Sequence, residues 1–220
     1  MDRWDWGYAL DILPRLLPGL VVTIQATVLG SIVAFTLGLV LALLLRTGIR
    51  PVTVVVRAVI EFVRSTPLLV QVYFLFSVLP VQFGITLDAL TVGVIALGVH
   101  YATYTAEVYR AGIEAVPPGQ WEAATALNLP RGRTWTGVIL PQAIPRVLPA
   151  LGNYVISMFK ETPLLIAIGV LDLVGQAREV GNESFRYVEA YTMAGLFFLL
   201  LSYPSALLVR RLERRVALAQ

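Results

Sequence analysis

The chain has no cysteine, one histidine and one lysine in 220 residues. Without cysteine it forms neither a disulfide nor a thiolate metal site, although this does not fix a compartment. A lone histidine, His100, argues against a histidine-cluster metal centre, and no bound metal is expected. The lone lysine bears on nucleotide chemistry. A P-loop needs G-x-x-x-x-G-K-[ST], and Lys160-Glu161-Thr162 follows no such glycines. Any ATP must therefore be handled by another chain. Charge is scarce as well, at 14% of residues against about 25% in a soluble domain. No basic stripe of the kind that holds nucleic acid is visible. An enzyme embedded in the membrane would need a nucleophile–base pair or a metal cluster, and neither stands out.

What is present is apolar. The chain is 57% hydrophobic, with a mean hydropathy of +0.76. A crossing helix needs roughly 20 mainly apolar residues. Five stretches qualify, about Leu17–Leu45, Val52–Leu79, Leu87–Arg110, Val147–Val170 and Tyr191–Val209. The expected fold is a single all-α membrane domain over residues 1–220, with one long connection at about 114–146. The start, Met1-Asp2-Arg3-Trp4, lacks the pattern of a cleaved signal. Trp4, Trp6 and Tyr8 suit the membrane–water boundary.

Arginine sets the expected orientation. Arg46, Arg50 and Arg57 flank the first connection, Arg110, Arg131, Arg133 and Arg146 the third, and Arg210, Arg211, Arg214 and Arg215 the end. The opposite side has few, and Arg178 and Arg186 there are diluted by Glu179, Glu183 and Glu189. The positive-inside rule then puts the N-terminus outside and the long connection and C-terminus in the cytoplasm.

Three local patterns follow. Ala26, Gly30, Ala34, Gly38 and Ala42 recur every four residues, a ridge of small side chains that lets another helix come close. Arg64-Ser65-Thr66-Pro67-Leu68-Leu69 is echoed by Lys160-Glu161-Thr162-Pro163-Leu164-Leu165. Each copy puts a basic residue, a threonine and a proline deep in a span. Proline removes a donor and crowds the carbonyl four residues earlier, here that of Val63 or Phe159. Such breaks persist where backbone lines a cavity or is buried in protein, and transporters place substrate at broken helices. Arg57, Glu61 and Arg64 have the spacing of an ionic strip, the plainer reading of the first copy. At the second copy, adjacent Lys160 and Glu161 point about 100° apart on a helix, suited to the two charges of a zwitterion. Gln71, His100 and Glu107 are weaker candidates for the same path; a lone histidine is more often structural, and Glu107 has Arg110 as a partner one turn on.

The third pattern is the long connection. Pro117-Pro118-Gly119 breaks the chain, and Gln120–Leu127 favours helix. Asn128 suits a left-handed end, with Pro130 preventing continuation. Thr134 is expected to cap a second short helix, with Pro141 and Pro145 leading into the next span.

Glu122-Ala123-Ala124, then Asn128, Val138 and Leu140-Pro141, resembles the EAA loop of ABC-importer permeases, E-A-A-x3-G-x9-aliphatic-x-L-P, with asparagine in place of glycine. The resemblance spans almost the whole chain. Glu61–Gln71, Ala106-Glu107-Val108-Tyr109-Arg110-Ala111-Gly112 and Lys160-Glu161-Thr162 are similar to the polar amino-acid permeases of histidine/glutamine type. Trp121–Asn128 and Met158–Pro163 are most similar to ectoine/hydroxyectoine permeases. The resemblance implies a type I importer fold with five spans, in a bacterial cytoplasmic membrane. It implies two permease subunits, identical or paired with a homologue, two ATPase subunits that use ATP and Mg, and an extracytoplasmic solute-binding protein. On it, Glu122, Ala123, Ala124, Asn128, Leu140 and Pro141 couple to the ATPase. A rival class is an ion-gradient-driven transporter or channel with Glu107 or Glu161 as proton carrier; vanadate-sensitive uptake that needs a co-purifying ATPase separates the two.

Overall fold

The computed structural model describes residues 4–218, all helical elements and their connections. The Met1–Arg3 start of the sequence lies outside the described residues. A short helix, α1 (Trp6–Asp11), is capped by Asp5, whose side chain accepts from the Tyr8 amide. It leads into the long α2 (Leu13–Leu45). Then come α3 (Arg50–Ser65), α4 (Leu68–Tyr73) and α5 (Leu79–Phe83), followed by α6 (Ala89–Glu114). After the connecting helices α7 (Pro118–Ala126) and α8 (Arg131–Arg133), the chain enters α9 (Leu140–Glu161), α10 (Leu173–Ser184) and α11 (Tyr187–Leu218).

Three helices are long and apolar enough to cross a membrane alone: Leu13–Leu45, Ala89–Glu114 and Tyr187–Val216. Two further segments pass only as bent pairs, Arg50–Ser65 with Leu68–Phe83 at 103° and Arg131–Ile168 with Leu173–Ser184 at 51°.

The small-residue ridge is the axis of the bundle. Ala26, Gly30, Ala34, Gly38 and Ala42 are all buried, while Val28, Ile32, Leu39 and Leu43 of the same helix point outward. This is the reverse of a soluble amphipathic helix: small groups allow backbone contact inside, and large aliphatics face out. The ridge packs on α6. A Cβ at Gly38 would run into Thr105 Oγ1, and it would sit 2.9 Å from the Ala102 carbonyl. The closeness allows an interhelical bond, Thr105 Oγ1 donating to the Ala34 carbonyl at 2.8 Å. The core around this contact gathers Leu68, Val72, Leu97, Tyr101, Met158 and Leu165. A second core joins α1, the start of α2, α10 and α11 through Leu16, Leu173, Val180 and Ala194.

Prolines shape the remaining elements. A wide π-helical turn, Phe74–Val78, precedes Pro80, and another, Thr134–Ile139, precedes Pro141. Proline four residues on cannot bond the carbonyls of Phe76 and Gly137 and crowds them; widening the turn relieves both. The second π turn overturns one expectation. Thr134 caps no helix: the chain runs as helix from Arg131, through the π turn, into α9. The proline is absorbed by widening instead of by a break.

Candidate functional site

The first break lies between α3 and α4. Thr66 is extended (φ −107°, ψ 136°) and Pro67 continues it (φ −61°, ψ 138°). The carbonyls freed there are met by Thr66 and by one long side chain: the Thr66 amide and hydroxyl both donate to Val63 O, at 3.4 and 3.1 Å. Gln71 Nε2 donates to Val63 O at 2.7 Å and Thr66 O at 3.0 Å, and lies 2.8 Å from Thr66 Oγ1. Because the amide nitrogen faces acceptors, Gln71 Oε1 is left for His100 Nδ1 at 3.3 Å. His100 therefore bears its proton on Nδ1 in this contact.

Arg64, one turn before the break, does not join the expected ionic strip. Among the described residues no ion pair links Arg57, Glu61 and Arg64. Instead Arg64 Nη2 donates to the Thr103 carbonyl at 2.5 Å, and its guanidinium lies over the Tyr104 ring at 4.9 Å. The planar group stacks on an aromatic face and bonds a carbonyl together, which a strip along one exposed helix face would not allow.

These residues converge on a tyrosine cluster. Tyr104 and Tyr154 are 5.8 Å apart between centroids, Tyr101 and Tyr154 5.8 Å, and His100 and Tyr104 5.4 Å. Tyr101 lies beside Glu161 and Ser157. Glu161 is half-buried, and its Oε2 is buried without a hydrogen-bond partner. Arg64, Gln71, His100 and Glu161, distant in sequence, thus border one aromatic surface with a cation at one end and, at the other, a carboxylate with one unpartnered oxygen. Tyr154 is a member that the sequence reading leaves out; it precedes Glu161 by seven residues and so shares its helix face.

The other candidates lie elsewhere. Lys160 is exposed. Glu107 pairs with Arg110, which also holds Glu114 at 2.5 Å. This trio lines a cavity of about 370 Å³ with Arg46, Arg57, Glu61 and Arg64. Thr162 is fully buried. It follows Glu161 at the start of a 3-10 turn, Thr162–Ile168, that carries Pro163 and ends on a left-handed Gly169 (φ 83°). Its hydroxyl donates to Phe159 O at 3.1 Å and faces Asp172 Oδ2 at 3.4 Å. Asp172 is also fully buried and caps α10, its Oδ1 accepting from the Gly175 amide at 2.9 Å. The sequence signal for it is an acidic residue inside the apolar run Ile168-Gly169-Val170-Leu171-Asp172-Leu173.

The long connection forms a second site. α7 ends in a Schellman turn: Leu129 N donates to Ala124 O at 3.0 Å and Asn128 N to Thr125 O at 2.9 Å. Asn128 takes φ 51°, the left-handed conformation that asparagine tolerates next after glycine. The turn leaves Glu122, Ala123 and Asn128 exposed, with Leu127 73% exposed beside them, while Ala124 is buried. Leu140 is half-buried and Pro141 exposed. Trp121 and Trp135 meet edge to face at 5.4 Å and pack on Ile113, Val116, Ile139 and Ala143.

A bundle built on a small-residue ridge, with two broken helices and an exposed helical connection, defines a membrane permease subunit. Residues 34–218 match the family described as the binding-protein-dependent transport system inner membrane component. The chain belongs to that family. It is 46% identical over 212 residues to a probable amino-acid ABC transporter permease protein, y4tG, of Sinorhizobium fredii, covering 94% of this chain and 91% of the relative. It is 34% identical over 215 residues to the glutamine transport system permease protein GlnP of Escherichia coli, covering 97% and 98%. Among solved structures, an amino acid ABC transporter crystallised with histidines is similar at a TM-score of 0.89 and 37% identity, over 97% of this chain and 100% of that one. The MetNI methionine ABC transporter shares the fold at a TM-score of 0.76 and 21% identity, over 94% and 98%. The fold is that of type I ABC importer permeases, and the chain is a transport subunit, not a catalyst.

Proposed function

We propose that the chain moves an amino-acid-like zwitterion inward across a bacterial cytoplasmic membrane, driven by ATP hydrolysis in a separate subunit. The candidates are a polar amino acid and ectoine or hydroxyectoine. In this reading five spans, two of them the bent pairs, run with the N-terminus outside. Two permease subunits, identical or homologous, form the path. A solute-binding protein delivers from outside, and two ATPase subunits, which hold ATP and Mg, each receive one α7. Their closure and reopening switch the bundles between outward and inward access.

One observation carries the proposal: Glu122 and Ala123 on a short helix and Asn128 in the turn that ends it are exposed together, while the opposite face is buried at Ala124 and pinned to the bundle by Trp121. A segment rigidly based and openly presented suits the transmission of force from another chain. For the solute, Glu161 offers an unpartnered carboxylate oxygen to an ammonium, Arg64 on the tyrosine cluster offers a cation to a carboxylate, and exposed Lys160 offers a second cation outside the cluster. The amino-acid permeases among its relatives support the same solute class.

The test is uptake and ATP hydrolysis by the complete importer in vesicles. Glu122→Arg is expected to abolish uptake while the subunit stays in the membrane and the ATPase keeps turning over; unchanged uptake excludes the coupling role. Glu161→Gln and Lys160→Ala are expected to weaken solute-stimulated hydrolysis. Calorimetry of the cognate binding protein with ectoine, glutamine and arginine identifies the solute, and binding of none of these zwitterions removes the substrate assignment.

A further inference from the structure

Arg46 terminates α2 and is solvent-exposed. An arginine at a cytoplasmic helix end is expected to trail into water. This one lies instead against both tryptophans of the long connection: its guanidinium carbon is 5.8 Å from the Trp121 ring centroid and 5.4 Å from that of Trp135. Both distances fall within the range where a cation is attracted to an aromatic face. Among the described residues Arg46 forms no ion pair, although Glu114 and Glu122 line the same groove. The indoles, and not a carboxylate, hold the guanidinium.

The two rings also form the base of α7. They pack on Ile113 and Val116 at the end of α6 and on Ile139 and Ala143 leading into α9. Arg146 further bonds the Ala115 carbonyl, and Gln142 Nε2 donates to Gln120 Oε1 at 3.2 Å. The connection is thereby fastened to α6 and α9 by several contacts. α2, which carries the ridge at the centre of the bundle, reaches the tryptophan pair through the side chain of Arg46. The same residue borders the charged cavity of Arg57, Glu61, Arg64, Glu107 and Arg110 on its other side.

We infer that Arg46 is a positioning residue for coupling: clamped between Trp121 and Trp135, it makes the end of α2 follow the connection when an ATPase displaces it. The inference rests on the coupling role proposed for α7. Without the clamp the last turn of α2, beyond its close packing on α6 at Gly38 and Ala42, lags when the connection moves, and hydrolysis proceeds without a matching opening of the bundle.

The complete importer in vesicles is assayed for ATP hydrolysed per solute imported. Arg46→Met keeps the aliphatic stem and removes the cation; it is expected to raise that ratio about tenfold, the scale of two lost cation–π contacts, with ATPase turnover retained. Arg46→Lys keeps a charge that binds a ring face without stacking and is expected to fall between Arg46→Met and the parent. Arg50→Ala, which removes an exposed arginine from the same region, is the control and is expected to match the parent. A ratio unchanged in Arg46→Met, or raised equally in Arg50→Ala, overturns the inference. If Arg46→Met fails to assemble, Arg46→Lys decides alone: an unchanged ratio overturns the clamp, a raised one supports it. Glu122→Arg is run in parallel. A raised ratio there with an unchanged ratio at Arg46 rejects the clamp only; no effect at Glu122 rejects the coupling role beneath it.

Discussion

Gln71 reaches back across the break at Pro67 and donates its amide to the Val63 carbonyl at 2.7 Å, the carbonyl that Pro67 crowds and cannot bond. The same amide serves the Thr66 carbonyl at 3.0 Å. Losing this donor leaves the Thr66 carbonyl unpaired and the Val63 carbonyl with the Thr66 amide and hydroxyl alone, which costs about 1–3 kcal/mol. Gln71→Ala is therefore expected to lower the thermal midpoint of the purified complex. Gln71→Glu should lower it further, because an ionised carboxylate only accepts and would face carbonyl oxygens. A Gln71→Glu midpoint equal to the parent's contradicts this account of the break.

The ridge on α2 yields a contrast between two glycines. At Gly38 a Cβ would meet Thr105 Oγ1 and the Ala102 carbonyl, whereas at Gly195 on α11 nothing lies within 4 Å. Gly38→Ala forces α2 and α6 apart at their closest approach, and overpacking of this kind costs about 1–3 kcal/mol. Gly195→Ala adds a better helix former in open space and should be neutral or stabilising by up to about 1 kcal/mol. Thermal unfolding of both variants in the same detergent checks the ordering; the reverse order refutes the packing.

Patterns confined to one helix were readable from the chain. The four-residue spacing of Ala26, Gly30, Ala34, Gly38 and Ala42 specifies a helix face whatever packs on it, and all five are buried. The left-handed turn at Asn128 follows from residue chemistry and the proline after it. Features that depend on which helices meet were not readable. The spacing of Arg57, Glu61 and Arg64 predicts a strip, but α6 supplies the Thr103 carbonyl and Tyr104 ring that draw Arg64 away. Asp172 becomes a buried cap only because α2 passes close beside it: a Cβ at Gly19 would sit 2.6 Å from the Asp172 carbonyl. The clasp of Arg46 on Trp121 and Trp135 spans some ninety residues of chain, beyond the reach of any periodicity.

Asn128 stands at φ 51°, so its replacements sort by backbone preference. Asn128→Gly should preserve the end of α7 and support uptake at the parent rate. Asn128→Val should cost about 1–2 kcal/mol, the steric penalty of a left-handed residue with a branched side chain, and unravel the turn that presents Glu122 and Ala123. Uptake per assembled complex is the measurement. Equal uptake for glycine and valine would show that the left-handed turn is unimportant to coupling.

Thr162 and Glu161 are adjacent but face different surroundings, and their variants should fail differently. Thr162 is fully buried, with its hydroxyl on Phe159 O and facing Asp172 Oδ2. Thr162→Val keeps the shape and removes that hydroxyl, so the Phe159 carbonyl loses a donor and the buried Asp172 carboxyl a polar neighbour, at a cost of about 1–3 kcal/mol. The expected result is less assembled transporter and a lower thermal midpoint, with the solute concentration for half-maximal uptake unchanged. Glu161 presents an oxygen that no protein group satisfies. Glu161→Gln should leave the midpoint nearly unchanged or raise it, because burying a neutral amide is less costly than burying a carboxylate. Its half-saturating solute concentration should rise, because the ammonium end of the solute loses its counter-charge. Measuring both quantities on both variants separates a structural neighbour from a contact residue. A saturation shift in Thr162→Val without loss of stability would move the solute to the Asp172 side of the break and away from the tyrosine cluster.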